Sequence, residues 1–521
     1  MLLLPPTHAL ANCLISLDWG ESYSQGDPVS SGPAGKPRAR KHYDVIVVGS
    51  GPAGIFAALE IARSSDLRVL LVEQGPDVSE RRCLARTRGV CAHCSPCHIT
   101  TGWGGAGAFS DGKLTLSAEV GGWLSEYLGH DCLQGLIREV DSLYRSFGAP
   151  AQLYGAELEA WERWAEQAAK QGLRLVYSPV RHMGTERAIS VLSAMRTQLE
   201  NRIDILTGTA AVQILTVQDK TTVEAAGRGR ERLAERPTGR RLRVAGVVTA
   251  DGVQYQSTAV IAAPGRAGSV WLAAEAERLG IPLKTNPVDI GVRVEVPAVL
   301  TDSITDELYE PKLIFTARRF EDQVRTFCMN PGGVVCTESW GDAVTVNGHS
   351  YGDTGKRTAN TNFALLVSTR FTEPFNEPIE YGKSIARLAN MLGRDVLVQR
   401  LADLRAGRRS TPERLGRSVV RPTLSTATPG DLSFALPFRH LQDIIDMLEA
   451  LDALLPGVGG RDTLIYGVEV KFYSMRVAVD ANLETPVRAL YAVGDGAGIT
   501  RGLVQASASG LVAARSILGS F

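Results

Sequence analysis

Residues 43–73 read YDVIVVGSGPAGIFAALEIARSSDLRVLLVE, and their predicted order of strand, glycine turn, helix and second strand decides the fold. Val45, Ile46, Val47 and Val48 form a β-branched run without polar alternation, the pattern of a parallel strand buried on both faces. The run stops at glycine. Gly49 makes the tight turn, Gly51 lets the backbone approach a pyrophosphate, and Gly54 lets helix and strand close together. Pro52 takes the first helical position, where its missing N–H costs nothing, and Ala53 follows it. Beyond them the helix N-terminus offers free amides and the positive end of a dipole to an anion. The second strand ends on Glu73, with Gln74 beside it, and a carboxylate there holds ribose hydroxyls. That acid disfavours a 2′-phosphate, so the unit is expected to take FAD or NAD rather than NADP.

Around this unit, a chain of 521 residues exceeds one ordinary core and implies two or more domains. Lys plus Arg (56) balances Asp plus Glu (56), so no bulk field draws the chain to nucleic acid or to an anionic membrane surface. The apolar stretch from Val45 to Ala62 is broken by Gly49, Gly51, Pro52, Gly54 and Glu60, which excludes a membrane span. The start, MLLLPPTHALANCLISLDWG, has no Lys or Arg ahead of its short apolar patch and carries two prolines, unlike a secretory signal. A cytoplasmic protein is the expectation. Residues 1–41 are expected to be a flexible tail, and Lys220 to Arg241 a solvated extension.

A second informative stretch is CAHCSPCHITTGWGGAGAFSDGKL, residues 91–114. Gly102, Gly104, Gly105 and Gly107 let backbone amides press against a phosphate or a flat ring without a Cβ clash. Cys91, Cys94 and Cys97 follow a C-x2-C-x2-C spacing with Cys83 nearby, and three readings stand open. They are an iron–sulfur or other metal site completed by Cys83, His93 or His98, a redox dithiol, and a reduced structural turn. Leu133, Ile137, Val140, Leu143 and Tyr144 have the spacing of one buried helix face, and the lone His182 reads as structural. Strands over Arg243–Ala250 and Tyr255–Ala263 end in APGRAGS, a second strand-to-glycine junction that sets Gly265 against the cofactor. Strands and helices alternate irregularly from 270 to 463, implying a separate lobe. The chain closes with a strand at Leu490–Val493, the glycine-rich turn Gly494–Gly502 and a helix over Gln505–Leu518.

GSGPAG with Glu73, then GWGGAGAFSDGKL, then ALYAVGDGAGITRGLVQASASG resemble the FAD-dependent oxidoreductases. More narrowly, GWGGAGAFSDGKL, RTFCMNPGG and VNGHSYGD resemble the poorly characterised FAD-dependent dehydrogenases of the NAD(P)/FAD-dependent oxidoreductase superfamily, from about Tyr43 to the C-terminus. The resemblance implies that Glu73 binds the adenosine ribose. It places Gly104, Gly105, Ala106 and Gly107 against the flavin, and Gly494 and Asp495 on the ribityl or pyrophosphate region, with Gly502 and Leu503 also binding the cofactor. Arg81 would lie beside the cofactor, and Ala211 would meet adenine through its backbone. The implied fold is α/β: a Rossmann-like FAD-binding domain of the glutathione-reductase type from residues 42–118, 183–268 and 464–521. A mixed α+β substrate lobe from residues 119–182 and 269–463 interleaves with it.

FAD brings its own redox reactivity, so the protein has to bind, orient and exclude rather than supply a nucleophile. The expected activity is that of a dehydrogenase or oxidase, transferring hydride between a small organic substrate and flavin. The GVGG at 457–460 follows a proline turn rather than a buried strand, so NAD(P)H enters only as a transient reductant docking at the flavin. His349 in VNGHSY and Lys113 in SDGKL are the candidates for proton handling, and Arg325, Asn330 and Asn347 can orient a substrate. The alternatives are a flavin–thiol or flavin–iron–sulfur protein using Cys91, Cys94 and Cys97, a flavin monooxygenase, and a non-catalytic flavin-binding protein. Pro264–Gly265 counts against the monooxygenase, because such enzymes often carry Asp-Gly there. Neither a substrate class nor an oligomeric state follows from these residues.

Overall fold

The computed structural model describes residues 41–83, 94–219, 242–340, 342–350, 354–372, 374–375 and 377–520. Cys91, His93, the tail through residue 40 and the stretch 220–241 lie outside the described residues. The opening unit forms as its residues dictate: strand β1 (His42–Val48), helix α1 (Pro52–Ser64) and strand β2 (Val69–Val72). β1 and β2 run parallel, Val45 opposite Val69 and Val48 opposite Val72. They lie within a seven-stranded sheet of spatial order 204–206, β2, β1, 254–262, 242–249, 211–218, with 490–492 also beside 254–262. The strands flanking β1 are parallel, and the strands 242–249 and 211–218 attach antiparallel at one edge.

α1 is buried from Ala53 to Ile61 and Ala62 because the sheet lies on one side and the C-terminal helix Leu503–Leu518 on the other. The two helices meet closely: a Cβ on Gly510 would stand 2.1 Å from the Ala53 carbonyl oxygen. This seam explains why an apolar helix has no polar face, a pattern that would otherwise suggest a membrane. No helix among the described residues is long and apolar enough to cross one.

An eight-stranded, mostly antiparallel sheet forms the second layer, in the order 428–429, 397–400, 464–471, 288–297, 360–369, 323–330, 312–316, 173–176. Its central strand, Val288–Pro297, sends Val288, Ile290, Val292, Val294 and Val296 into an apolar core shared with the helices Pro378–Gly393 and Phe438–Leu454. The opposite face carries Asp289, Arg293 and Glu295, and all three are buried.

Two stretches depart from the segment boundaries implied by the resemblance. Helix His130–Ser146, allotted to the second lobe, turns Leu133, Leu136, Ile137, Val140, Leu143 and Tyr144 into the first core, against Phe56. Strand Leu464–Lys471, allotted to the FAD-binding domain, pairs with 288–297 and 397–400 in the second sheet. Apolar pattern decides the first case and backbone pairing the second, and neither is written in the glycine motifs.

Candidate functional site: a glycine cradle beside a buried ionic junction

The ends of the parallel strands gather the glycines. At Gly49, with φ of 101°, an added Cβ would meet the Ala263 oxygen at 2.2 Å, and at Gly54 it would meet the Gly49 oxygen at 1.9 Å. Both positions are closed by the protein's own backbone. Gly51 is different: an added Cβ there would meet nothing within 4 Å, and the same holds at Gly265 and Gly502. The open side thus faces the N-terminus of α1, where amides stand unbonded within the helix, as a pyrophosphate requires. The turn Gly105–Phe109 lies across this opening, held by the Gly104 amide, which donates to the Ser50 carbonyl at 2.8 Å. Leu503 touches the position of Gly107, and Ala53 that of Gly494, so both chain ends line one cradle. The residues present fit FAD.

Glu73 is 6 % exposed and accepts four hydrogen bonds from the chain. Oε2 takes the Ser50 amide at 2.8 Å and the Ser50 hydroxyl at 2.9 Å; Oε1 takes the amides of Gly75 at 2.8 Å and Gly102 at 2.9 Å. The carboxylate therefore braces the first glycine turn against the second. Arg81, 5 % exposed, faces the same loop rather than the open side. It donates to the carbonyls of His98, Ile99, Trp103 and Gly105, and burial pulls its guanidinium down to about 10. Ala211 opens the edge strand 211–218, beside the segment in which the Thr209 amide donates to the Glu73 carbonyl at 2.9 Å.

Asp495 sits where the cradle meets the second layer. Its Oδ1 accepts from the Thr500 hydroxyl at 2.8 Å and the Gly502 amide at 3.3 Å; burial raises its carboxyl, while Arg266 and Arg501 oppose that rise. Asp495 and Thr500 share a cleft with Trp123, Tyr473, Arg266 and Arg501.

A buried ionic junction lies between the layers. The Lys113 ammonium is 3.1 Å from Asp111 and 3.6 Å from Glu310, and donates to Met329 O and Asn330 Oδ1, each at 2.9 Å. Burial alone would lower the Lys113 pKa, but Asp111, Cys328, Glu310 and Tyr309 outweigh it and hold the amine charged well above its usual range. Arg293, fully buried, donates to Glu469 at 2.8 and 2.7 Å and to the Cys328 carbonyl at 2.9 Å. Burial pushes the Cys328 thiol up, so it is held as the thiol, at a non-glycine φ of 48°.

Comparison with known proteins places this geometry. Residues 44–90 match the family described as FAD binding domain, and residues 287–472 the family described as FAD-dependent protein, C-terminal domain-like. Both matched families are described by FAD, the cofactor that the glycine cradle fits. An uncharacterised protein of Clostridium beijerinckii is 26% identical over 497 residues, 91% of this chain and 81% of that one. Among solved structures, L-amino acid deaminase from Proteus vulgaris is 13% identical over 94% of this chain and 96% of that one, with a TM-score of 0.37. Glycine oxidase from Bacillus cereus is 14% identical over 92% and 96%, with a TM-score of 0.33.

The fold brings some sequence candidates together and not others. Lys113 and Asn330 meet in the junction, and His349, on the hairpin of strands 334–339 and 344–349, adds to the positive field at Asp111. Asn347 is held there as well, accepting from Arg293 at 3.3 Å and donating to Glu338 at 3.0 Å. Arg325 is paired with Asp289 at 2.6 Å. Cys94 and Cys97 are exposed, and no three His, Cys, Asp or Glu side chains gather as a metal site among the described residues. His182, read from sequence as structural, joins the junction: Nδ1 is 2.9 Å from the Tyr309 hydroxyl, and Nε2 is buried without a partner. Burial, then Lys113, lowers its pKa and keeps the ring neutral. Sequence reasoning also missed Asp111, Glu310 and Arg501, although Asp111 and Arg501 stand inside the quoted motifs SDGKL and GITRGL.

Proposed function

We propose that the chain is an oxidoreductase that passes hydride between a small organic substrate and FAD held in the glycine cradle, within an FAD-binding domain of the glutathione-reductase type. The supporting observation is the shared residue Asp495: it hydrogen-bonds within the cradle turn and lines the cleft of Trp123, Tyr473, Arg266 and Arg501. A substrate seated in that cleft lies next to the cofactor. Bound FAD supplies a two-electron acceptor, and the protein supplies position and a water-poor surround. The Trp123 and Tyr473 rings meet edge to face, with centroids 5.1 Å apart, and line the cleft.

Glu73 reaches the adenosine ribose by releasing the Ser50 hydroxyl, since that donor alone among its four rotates away without moving backbone. Gln74, Ala211, Ala106 and the cradle glycines complete the cofactor contacts. Arg81 acts through the loop it braces. Lys113, held charged, serves as a fixed cation rather than a base, which leaves His349 to accept a proton.

The test is anaerobic bleaching of the visible flavin band against a panel of small acids, alcohols and amines together with NADH and NADPH. Full reduction by one donor is expected. A flavin that dithionite bleaches but no donor reduces would refute the reading in favour of a non-catalytic flavin protein. Normal turnover in a Cys94→Ser, Cys97→Ser variant is expected, and its loss would favour thiol or cluster chemistry.

A further inference from the structure

Arg266 and Arg501 arrive at one cleft from opposite ends of the chain's second half. Arg266 opens the turn after strand Gln254–Ala262, and Arg501 stands in the turn before the C-terminal helix. Both are half-buried, and an arginine withdrawn from water is ordinarily paired. Here the surrounding charges are paired without them: Asp289 with Arg325 at 2.6 Å, Glu469 with Arg293 at 2.7 Å and with Lys471 at 2.9 Å, and Glu338 with Lys471 at 3.6 Å. Glu338 and Asp289 also lie in the field of these arginines, but each has its own cation, so two guanidinium groups share the carboxylate of Asp495, which is itself bonded to Thr500 and Gly502. One positive charge is left uncompensated.

The donors are free as well. Arg501 uses one N–H, from Nη1 to the Phe472 carbonyl, and its Cζ lies 4.4 Å from the centre of the Tyr473 ring. The cation–π contact holds the guanidinium at the cleft and leaves its other N–H groups for a partner. Arg266 makes a ring contact with Trp340 at 5.9 Å and no ion pair among the described residues. The field of Arg266 adds to burial in lowering Arg501. An anion between them removes that repulsion and supplies acceptors for the free N–H groups.

We infer that the cleft takes an anionic substrate, a small carboxylate whose oxygens are received by Arg501 and Arg266 while its reacting carbon faces the cofactor. This rests on the hydride-transfer reading above and names its substrate class. Asp495 sets the sense of binding, because it repels the carboxylate from the cradle side and turns it toward the arginines. A neutral isostere leaves the pair unsatisfied, so discrimination against it is steep.

The experiment uses the FAD-loaded full chain. Acetate, lactate, succinate and alanine, with the matching primary amides, are titrated while the flavin absorption spectrum is followed. A saturable perturbation by at least one carboxylate, and none by its amide, is expected. Arg501→Met and Arg266→Met are expected to keep stoichiometric FAD and to weaken that carboxylate at least tenfold each, with Arg501→Lys in between. Equal binding of acid and amide, no perturbation by any acid, or loss of FAD from either variant would overturn the inference, the last by assigning the arginines to the cofactor. If Arg501→Met fails to fold, Arg266→Met carries the same test on a half-buried side chain. A donor that reduces the flavin but bears no anionic group, and whose turnover ignores both arginines, would sink this inference and leave the hydride-transfer reading standing. A flavin inert to every donor sinks that reading instead.

Discussion

Gly51 and Gly54 lie three positions apart in one turn and are glycine for different physical reasons. At Gly54 a side chain collides with the Gly49 carbonyl oxygen at 1.9 Å, so Gly54→Val has to separate helix from strand, at the upper end of about 1–3 kcal/mol for overpacking. At Gly51 the protein offers no obstacle within 4 Å, and Gly51→Val is expected to melt within about 0.5 kcal/mol of the parent while losing the yellow cofactor. Thermal melting of apoprotein beside FAD content separates the two; an FAD-replete Gly51→Val protein contradicts the cradle. Glu73 supplies a second test. Glu73→Gln turns one acceptor into a donor that faces either the Ser50 pair or the two glycine amides. A loss of about 1–3 kcal/mol in apoprotein stability is expected from that mismatch, by chemical denaturation. Stability unchanged in the apoprotein would assign Glu73 to the cofactor alone.

Strand Val288–Pro297 shows what a sequence conveys and where it stops. Its alternation VDIGVRVEVP reads as a strand with one apolar face, and that is what forms. Alternation also suggests water on the other face, yet Asp289, Arg293 and Glu295 are buried among partners from residues 325, 360, 423, 466 and 469. Nothing local announces those partners, because charge pairing across a sheet depends on which strands become neighbours. The cradle was legible for the opposite reason: Gly49, Gly51, Gly54 and Glu73 act within one βαβ unit, so their spacing carries their geometry. His182 escaped because its neighbours come from two other segments, Asp111 and Lys113 from one and Tyr309 from the other. Helix Phe438–Leu454 carries a further buried charge. Asp443 is fully buried, no N–H or O–H reaches its oxygens, and burial together with the neighbouring Asp322 raises its carboxyl. Asp322 is itself held ionised by Arg439 at 2.6 Å, while His440, pulled down to about 4 by burial, stays neutral. A raised carboxyl binds its proton more tightly in the folded chain. Its contribution is therefore full below about pH 4 and is lost as pH climbs toward the folded pKa. Asp443→Asn is expected to leave stability nearly unchanged below about pH 4 and to raise it by about 1–3 kcal/mol at pH 8, by melting across pH. A parallel shift at both pH values would show that Asp443 is ionised throughout.

At the scale of the molecule, the cradle and the junction set how the two cores share their stability. The cradle is built from residues 49–54, 104–107, 265 and 494–503, all in the first core, so FAD binding acts on that core directly. Lys113 follows the cradle turn in sequence but is bonded to Met329 and Asn330 and paired with Glu310, all carried by the second layer. The ion cluster transmits what the cofactor does to one sheet into the other. FAD at one hundred times its Kd stabilises the folded state by about 2.7 kcal/mol, and in the parent chain one cooperative transition is expected to move up as a whole. Lys113→Met leaves Asp111 and Glu310 facing each other without their shared cation, at a cost of about 3–5 kcal/mol. In that variant calorimetry is expected to resolve two transitions, of which only the one containing the cradle responds to FAD. Two transitions that both rise with FAD, or a single one that rises as in the parent, would place the coupling elsewhere, in the direct packing of the two layers around Tyr473 and Trp123.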